Sequence, residues 1–371
     1  MNHYPSNVKE KLNSIILSMA EHHWLFSKNP GHDFTRQHLG KLSFYDTMRL
    51  IISMGKGSTN DEIMDYFDLD PDLIPSQSAF CQRRRQISLS AFEYLFSEFS
   101  SSFPSTTDKF KDHCILACDG CHVVYATNSD IIEDYNKPRL IDYKGYNHMH
   151  LNGFVDVISK AFLDVVIQPG QQPDEREALH SMLDHFTPDD PQKYIITADR
   201  GYESYDLLFH CELKNLGYVF RVKSPSSPKS ILSYYASEFP DDLEEFDVTI
   251  KRFFTDKATN IMKSQSDVYR YINPSKNTPH FYELLRKKHS HLYFLQFRVV
   301  KIKTAENTYE YLITNLPFSF TLDDIRECYH WRWGIEISFR YLKHAAGLLY
   351  FHSKQPEFLK QEIYSRLILY N

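Results

Sequence analysis

Three carboxylates, far apart in the chain, stand in surroundings that suit metal-dependent phosphodiester chemistry. They are Asp119 in Leu116-Ala-Cys-Asp119-Gly120, Asp199 in Thr197-Ala-Asp199-Arg-Gly-Tyr202, and Glu336 in Tyr329-His-Trp-Arg332-Trp-Gly-Ile-Glu336-Ile-Ser-Phe-Arg340-Tyr-Leu-Lys343. The last segment is the most informative. On a helix turning about 100° per residue, Tyr329, Arg332, Glu336, Arg340 and Lys343 fall within roughly an 80° arc. Trp331, Ile335, Leu342, Ala345, Ala346 and Leu349 lie opposite, so the helix reads as amphipathic. One carboxylate among several cations and a phenol suits a metal ion beside a polyanion.

Three such carboxylates can converge on two divalent ions about 4 Å apart, one activating the attacking water or hydroxyl and the other stabilising the leaving 3′ oxygen. Hard oxygen donors point to Mg2+, with Mn2+ as a substitute. Taken singly, Asp119 and Asp199 also read as turn or cap residues. Arg332, Glu336 and Arg340 also read as a surface ion-pair ladder worth about a few tenths of a kcal/mol per pair. That ladder leaves Asp119 and Asp199 unexplained. Arg200 and Tyr202 either meet DNA or only shape their turn. Cys114, Cys118 and Cys121-His122 lack a second ligand cluster and read as inert buried thiols. His148 and His150 read as structural.

These residues need elements to hold them. From about residue 10 to 100 the pattern is helical, with Ser43, Ser58 and Ser76 as helix starts. The last of these helices carries Arg83, Arg84 and Arg85. It is either the DNA-meeting part of a helix-turn-helix or one member of a bundle whose arginines form a solvated face. From about 112 the chain turns β-rich: a strand over 114–126, a hairpin over 148–167 turning near Ser159-Lys160, a helix over 174–186 and a buried strand over 193–198. A helix over 204–216 closed by Gly217 and a strand over 218–222 follow. This order indicates an α/β fold with a mixed sheet. Aromatic and β-branched runs over 248–254, 268–272, 292–300 and 309–314 predict an inserted β-rich subdomain. Helix returns where Thr321 caps the approach to Glu336. The expected division is 1–108 all-α, 109–223 first part of the core, 224–312 insertion and 313–371 closing core helices.

The formal net charge is −6, which argues against a wholly basic nucleic-acid binder but leaves local patches open. From Pro279 to Ala305 six Lys/Arg face one acidic residue. Within that stretch Arg286-Lys287-Lys288 reads as a solvated face or a DNA track. No apolar run has the length of a membrane span. The opening Met1-Asn-His-Tyr-Pro lacks the order of a secretory signal. The expected location is the cytoplasm, at the nucleoid when bound to DNA.

The spacing Tyr329-x2-Arg332-x3-Glu336-x6-Lys343 closely resembles the Y-R-E-K signature of bacterial insertion-sequence transposases of the DDE class, in the insertion-sequence-four group. The flanks agree: Asp119-Gly120, Thr197-Ala-Asp199-Arg-Gly-Tyr202, Thr314-Asn-Leu-Pro317, Phe351-His-Ser-Lys354 and Gln361-Glu362. The likeness runs from about residue 34 to the end. It implies an RNase H-like catalytic domain with a β-rich insertion, Asp119 on the first strand, Asp199 just after the fourth and Glu336 on a C-terminal helix. In such enzymes the three carboxylates bind the metals, and the residues matching Tyr329, Arg332 and Lys343 contact phosphates near the cleaved end. The implied partners are double-stranded DNA, as terminal inverted repeats and target, and a second copy of the chain in a paired-end complex. The implied reaction cuts at the element's ends and joins the freed 3′-OH to target DNA.

Several relatives in this group pass through a DNA hairpin with a base flipped onto an aromatic ring. The tryptophans here are Trp24, Trp331 and Trp333, so the insertion has none for that purpose; Phe253, Phe254, Tyr293 and Phe294 are the substitutes it offers. The chain ends at Asn371 inside a helical pattern, which reads as a shortened reading frame. The alternatives to a transposase are a nuclease of the same fold without strand transfer, and a truncated, inactive DNA-binding remnant.

Overall fold

Ser43, Ser58 and Ser76 each leave an extended stretch and start a helix by accepting a backbone N–H three residues on. Asp46 and Asp61 complete reciprocal capping boxes at the first two. These serines open α2 (Phe44–Ser53), α3 (Thr59–Tyr66) and α4 (Gln77–Gln86), between α1 (Tyr4–Glu21) and α5 (Leu89–Ser101). The computed structural model describes residues 4–35, 42–101, 109–137, 144–273 and 278–371. The opening Met1-Asn-His and the expected helical boundary at 108 lie outside the described residues.

The strands follow the sequence pattern closely. They are β1 (Cys114–Tyr125), β2 (Tyr135–Asn136), β3 (Tyr146–Asp156), β4 (Phe162–Pro169), β5 (Tyr194–Ala198) and β6 (Gly217–Val222). Helices α6 (Glu175–His185) and α7 (Tyr205–Leu213) make the crossovers to β5 and β6. Gly217 does not close α7, as its position suggested, but begins β6. The left-handed residue of that turn is Asn215, at φ 54°, and the Leu216 N–H returns to the Cys211 carbonyl at 2.9 Å. Strand β3 runs antiparallel to β1 and β4, whereas β5 is parallel to β1 and β6 is parallel to β5.

The later strands β7 (Phe246–Thr255), β8 (Tyr269–Tyr271), β9 (Leu292–Ala305) and β10 (Thr308–Thr314) do not close on themselves. They extend the same ten-stranded sheet in the order β2-β3-β1-β5-β6-β10-β9-β7-β8, with β4 outside β3. A hydrophobic pattern cannot show this, because the runs look alike whether they pair with each other or with β6. Helices α8 (Asn260–Ser264) and α9 (Pro279–Lys287) lie between these strands, and α10 (Leu322–Trp331), α11 (Trp333–His344) and α12 (Pro356–Tyr370) follow them.

Alternation along β1 sorts the two faces of the sheet. Ile115 and Ala117 join a core with the N-terminal helices and α10 to α12; Leu116 and Cys118 join a second core with α6, α7 and α9. Helix α12 is buried from Phe358 to Ile368 except at Lys360 and packs on α5 and α2, so one hydrophobic cluster runs without a seam from Ile16 through Ile115 to Ile368.

Two arginines anchor this junction. Arg366 donates to the carbonyls of Met54 and Gly55, satisfying the carboxyl end of α2. Arg84 is only 4% exposed. It donates to Gln361 Oε1 at 3.0 Å, Glu362 Oε1 at 2.8 Å and the Phe358 carbonyl at 2.7 Å. The expectation that Arg84 meets DNA is therefore corrected: its guanidinium is spent inside the protein. Arg83, one position away, is half-buried, donates to Gln86 at 3.0 Å and lies over the Phe34 ring, while Arg85 is exposed. Burial opposes the Glu362 charge, but His352 and Arg84 more than offset it and hold the carboxyl below its usual range. Arg84→Ala would strand that charge, so it should destabilise the fold by about 3–5 kcal/mol, read as a fall in thermal midpoint.

Candidate active site

Parallel pairing of β1 with β5 sets Cys118 opposite Ala198. Asp119 and Asp199 are each one residue further on, so two carboxylates leave adjacent chains about 4.8 Å apart. Both belong to the face that carries Ile115, Ala117 and Ile195, which is the face α11 covers. Asp119 lies within its strand, since β1 runs on to Tyr125, close to the strand expected over 114–126. Gly120 is required beside it, because a Cβ there would stand 2.2 Å from His150 Nε2 and 2.9 Å from Glu175 Oε1.

Glu336 arrives from α11 through Arg332, the residue at the break between α10 and α11. The Arg332 Nη2 donates to Glu336 Oε1 at 3.0 Å, and its Nη1 lies 3.7 Å from Asp119 Oδ2. The Tyr329 hydroxyl donates to Asp199 Oδ1 at 3.5 Å, which Arg221 of β6 also approaches at 3.3 Å. All three expected carboxylates thus meet around Arg332 and Tyr329.

The amphipathic reading of this helix needs correction. Tyr329 and Arg332 are each 3% exposed, whereas Trp331 and Trp333 are exposed on either side. The start of the stripe, Tyr329 and Arg332, points inward to the carboxylates. Ile335 and Leu342 are buried as expected, but Ala345 and Leu349 are exposed. Arg340 and Arg200 are exposed and Lys343 is half-buried near Cys121, and burial pushes that thiol up to about 12 despite the cation. Tyr202 is buried against Cys118, so it shapes the turn. Arg200, Arg221 and Lys223 line one depression on the surface.

Sequence reasoning missed two participants. Glu175, the first residue of α6, approaches His150 at 3.1 Å and lies close to both Gly120 and Gly201. Arg221 reaches from β6 to Asp199 and is held from behind by Glu310 at 3.0 Å. Only the alternation in Tyr218-Val-Phe-Arg221-Val offered a signal, since an arginine inside a buried strand requires a partner. Glu175 carried none, because a glutamate in a first helical turn is ordinary.

Burial pushes the Asp119 carboxyl up to about 6, with Glu175 and Glu336 adding to the rise against the Gly120 N–H and Arg332. Burial likewise lifts the Tyr329 phenol to about 12, so it remains a donor at neutral pH. Desolvation works against the Arg332 charge, but Tyr329 and the carboxylates more than restore it.

A family model described as "Transposase DDE domain" matches residues 110–371, the stretch that contains all of these side chains. The chain belongs to the transposase DDE domain family. Among solved structures it is similar to the cryo-EM piggyBac transposase synaptic complex with hairpin DNA, at 10% identity and a TM-score of 0.45, covering 97% of this chain and 70% of that one. No curated protein matches it.

The DDE chain should carry a pH signature of its crowded carboxylates. Asp119 has a folded pKa above its unfolded value, so ionising it costs stability as pH rises from about 4 through 6. Asp119→Asn should therefore raise the metal-free thermal stability at pH 7.5 by an amount on the order of 1–3 kcal/mol, and the gain should vanish at pH 4. Thermal denaturation across that range, with chelator present, checks it.

Proposed function

We propose that this DDE chain is an insertion-sequence transposase that cleaves DNA at the element's ends and joins the 3′-OH to target DNA. Asp119, Asp199 and Glu336 are its metal-binding carboxylates. The observation that carries the reading is the gathering of carboxylates from β1, the end of β5 and α11 around the buried neighbours Arg332 and Tyr329. The strand order β4-β3-β1-β5-β6, with β3 reversed, supports the RNase H-like reading of the core. The spacing from Tyr329 to Lys343 supports a Y-R-E-K enzyme of the insertion-sequence-four group.

The site fits a divalent cation. Its donors are carboxylate oxygens, and the side chains of Asp119, Asp199 and Glu336 keep 25%, 36% and 39% of their surface open. Mg2+, or Mn2+ in its place, would be held by Asp119, Asp199 and Glu336 and would supply a more acidic attacking water and charge relief at the leaving oxygen. The chain's own groups do the positioning. Arg332 and Tyr329 are buried and turned to Glu336, Asp119 and Asp199, so in this reading they position the carboxylates and leave the phosphate contacts to a positive rim nearer the surface. Lys343, Arg340 and Arg200 extend that positive rim toward the sugar-phosphate backbone. Trp331 and Trp333 offer exposed rings beside Arg332 for stacking. Of the substitutes for a base-accepting ring, Phe253 and Phe294 are exposed, whereas Phe254 is buried and Tyr293 packs toward Glu212. In this reading the active complex holds two copies of the chain on paired ends, and residues 1–108 and 224–312 serve the DNA around the core.

The test is Mg2+- or Mn2+-dependent cleavage and joining of DNA carrying the element's own ends. Glu336→Gln and Asp199→Asn should each lower both steps by roughly 10²–10³ or more. Cleavage without joining in the unmodified protein would replace the transposase by a nuclease on the same fold. In binding assays across a salt series, Lys343→Ala should reduce the slope of log K against log salt by about 1. Arg85→Ala, on the helical segment, serves as the comparison that asks whether α4 touches phosphate at all.

A further inference from the structure

Away from the DDE carboxylates, strand β4 pairs with β3 alone, and a cleft of about 870 Å³ is lined by Leu163, Asp164 and Val165 of that strand. One wall comes from α5 with Tyr364 of α12, and the other from Met182 and Phe186 of α6 with Tyr194 of β5. Asp156, the last residue of β3, and Leu116 of β1 lie between them. The volume is that of a small-molecule site, and the lining shares no residue with Asp119, Asp199 or Glu336.

Two kinds of side chain make its surface. Rings of Phe96, Phe154, Phe186, Tyr194 and Tyr364 supply the apolar part, with Phe186 edge-on to Phe154 at 5.5 Å and to Tyr194 at 5.0 Å between centroids. Carboxylates of Glu93, Asp156, Asp164 and Asp189 supply the charge, against His185 as the one basic lining side chain; no lysine or arginine of the described residues lines the cleft. Two of its polar groups are buried and lack a partner. Asp156 is 5% exposed; its Oδ1 accepts the N–H groups of Ile158 at 3.0 Å and Ser159 at 3.3 Å, while its Oδ2 has no partner among the described residues. Tyr364 is 8% exposed, and its hydroxyl has none either. Asp164 has the Val165 N–H on Oδ1 at 2.7 Å and only the exposed His185 on Oδ2 at 3.0 Å, and burial holds its carboxyl above the usual range. A buried carboxylate oxygen without a donor is costly, so these groups call for a cation.

We propose that this cleft binds a linear aliphatic polyamine, its ammonium groups paired with Asp156, Asp164 and the rim carboxylates Glu93 and Asp189, and its methylene chain laid along the rings. An anion would be repelled, and an apolar molecule would leave the carboxylates unpaired. An inorganic cation would gain nothing from the aromatic walls, whereas ammonium groups are drawn to ring faces and methylenes gain from burial. The carboxylates come from α5, β3, β4 and the segment after α6, so several charges spaced along one extended chain match them better than a single charge. The site does not depend on the transposase reading.

The full chain is titrated with spermidine by isothermal calorimetry, then challenged with Mg2+ and, separately, with a tetralysine peptide. One equivalent of spermidine is expected, with a rise in thermal midpoint and no displacement by Mg2+ at equal concentration. Asp164→Asn should weaken binding at least about tenfold, the loss of one charge-assisted hydrogen bond. Tyr364→Phe removes a hydroxyl and no charge and should weaken it by a smaller factor, with circular dichroism confirming that both variants fold. The triple variant Asp119→Asn, Asp199→Asn, Glu336→Gln should bind spermidine as the unmodified chain does. Absence of stoichiometric binding would overturn the proposal, as would binding unchanged in both cleft variants, displacement by Mg2+, or loss in the triple variant. Tetralysine binding the cleft more tightly than spermidine would also overturn it, in favour of a basic protein segment as the occupant.

Discussion

Carboxylates gathered from the middle of β1, the end of β5 and the facing helix repel each other, and Arg332 is buried among them. Its guanidinium spans Glu336 and Asp119 and lies near the rings of Tyr329 and Trp333. A buried arginine without those anions would be prohibitively costly, and the anions without it would not all remain ionised. Each side of the bargain fixes the other. The break between α10 and α11 falls at Arg332 itself, so the helix axis is adjusted at the residue that must reach down to the sheet.

The same dependence explains why the sheet and its covering helices cannot be separated. The register of β1 against β5 decides that Asp119 and Asp199 are neighbours, and a slip of one residue would send one of them to the α6–α7 face. On the α11 face, α12 seals the N-terminal helices to the sheet, with Arg84 and Glu362 paired inside the junction. A buried pair of this kind adds little net stability but punishes mispacking heavily, so it favours one docking of the helices over its neighbours. The DDE site therefore rests on packing that reaches back to residues well outside the matched family stretch.

Much of this was legible from local pattern. Capping serines, alternation in β1 and β5, the hairpin turn at Ser159-Lys160 and the helical spacing from Tyr329 to Lys343 all depend on neighbours within a few residues, and they appear where the sequence places them. The errors came from long-range partners. Gly217 looked like a helix stop because glycine suits that role, yet Asn215 took the left-handed turn. Arg84 looked like a DNA contact because nothing local reveals Glu362 nearly 280 residues away. The β-rich stretch expected as an insertion over 224–312 adds its strands to the same sheet, a pairing that strand patterns do not record.

The sequence by itself singled out the groups proposed to react, Asp119, Asp199 and Glu336, and the Tyr-Arg-Glu-Lys spacing beside them, since side-chain chemistry and helical period are properties of the chain. Only the tertiary structure decided that these carboxylates share one face, that Arg332 and Tyr329 are buried with them, that Glu175 and Arg221 join the site, and that a cleft of rings and carboxylates opens beside β4. Those outcomes turn on strand register and on which surfaces exclude water. Both are set by contacts between residues far apart in the chain, where no local pattern records them.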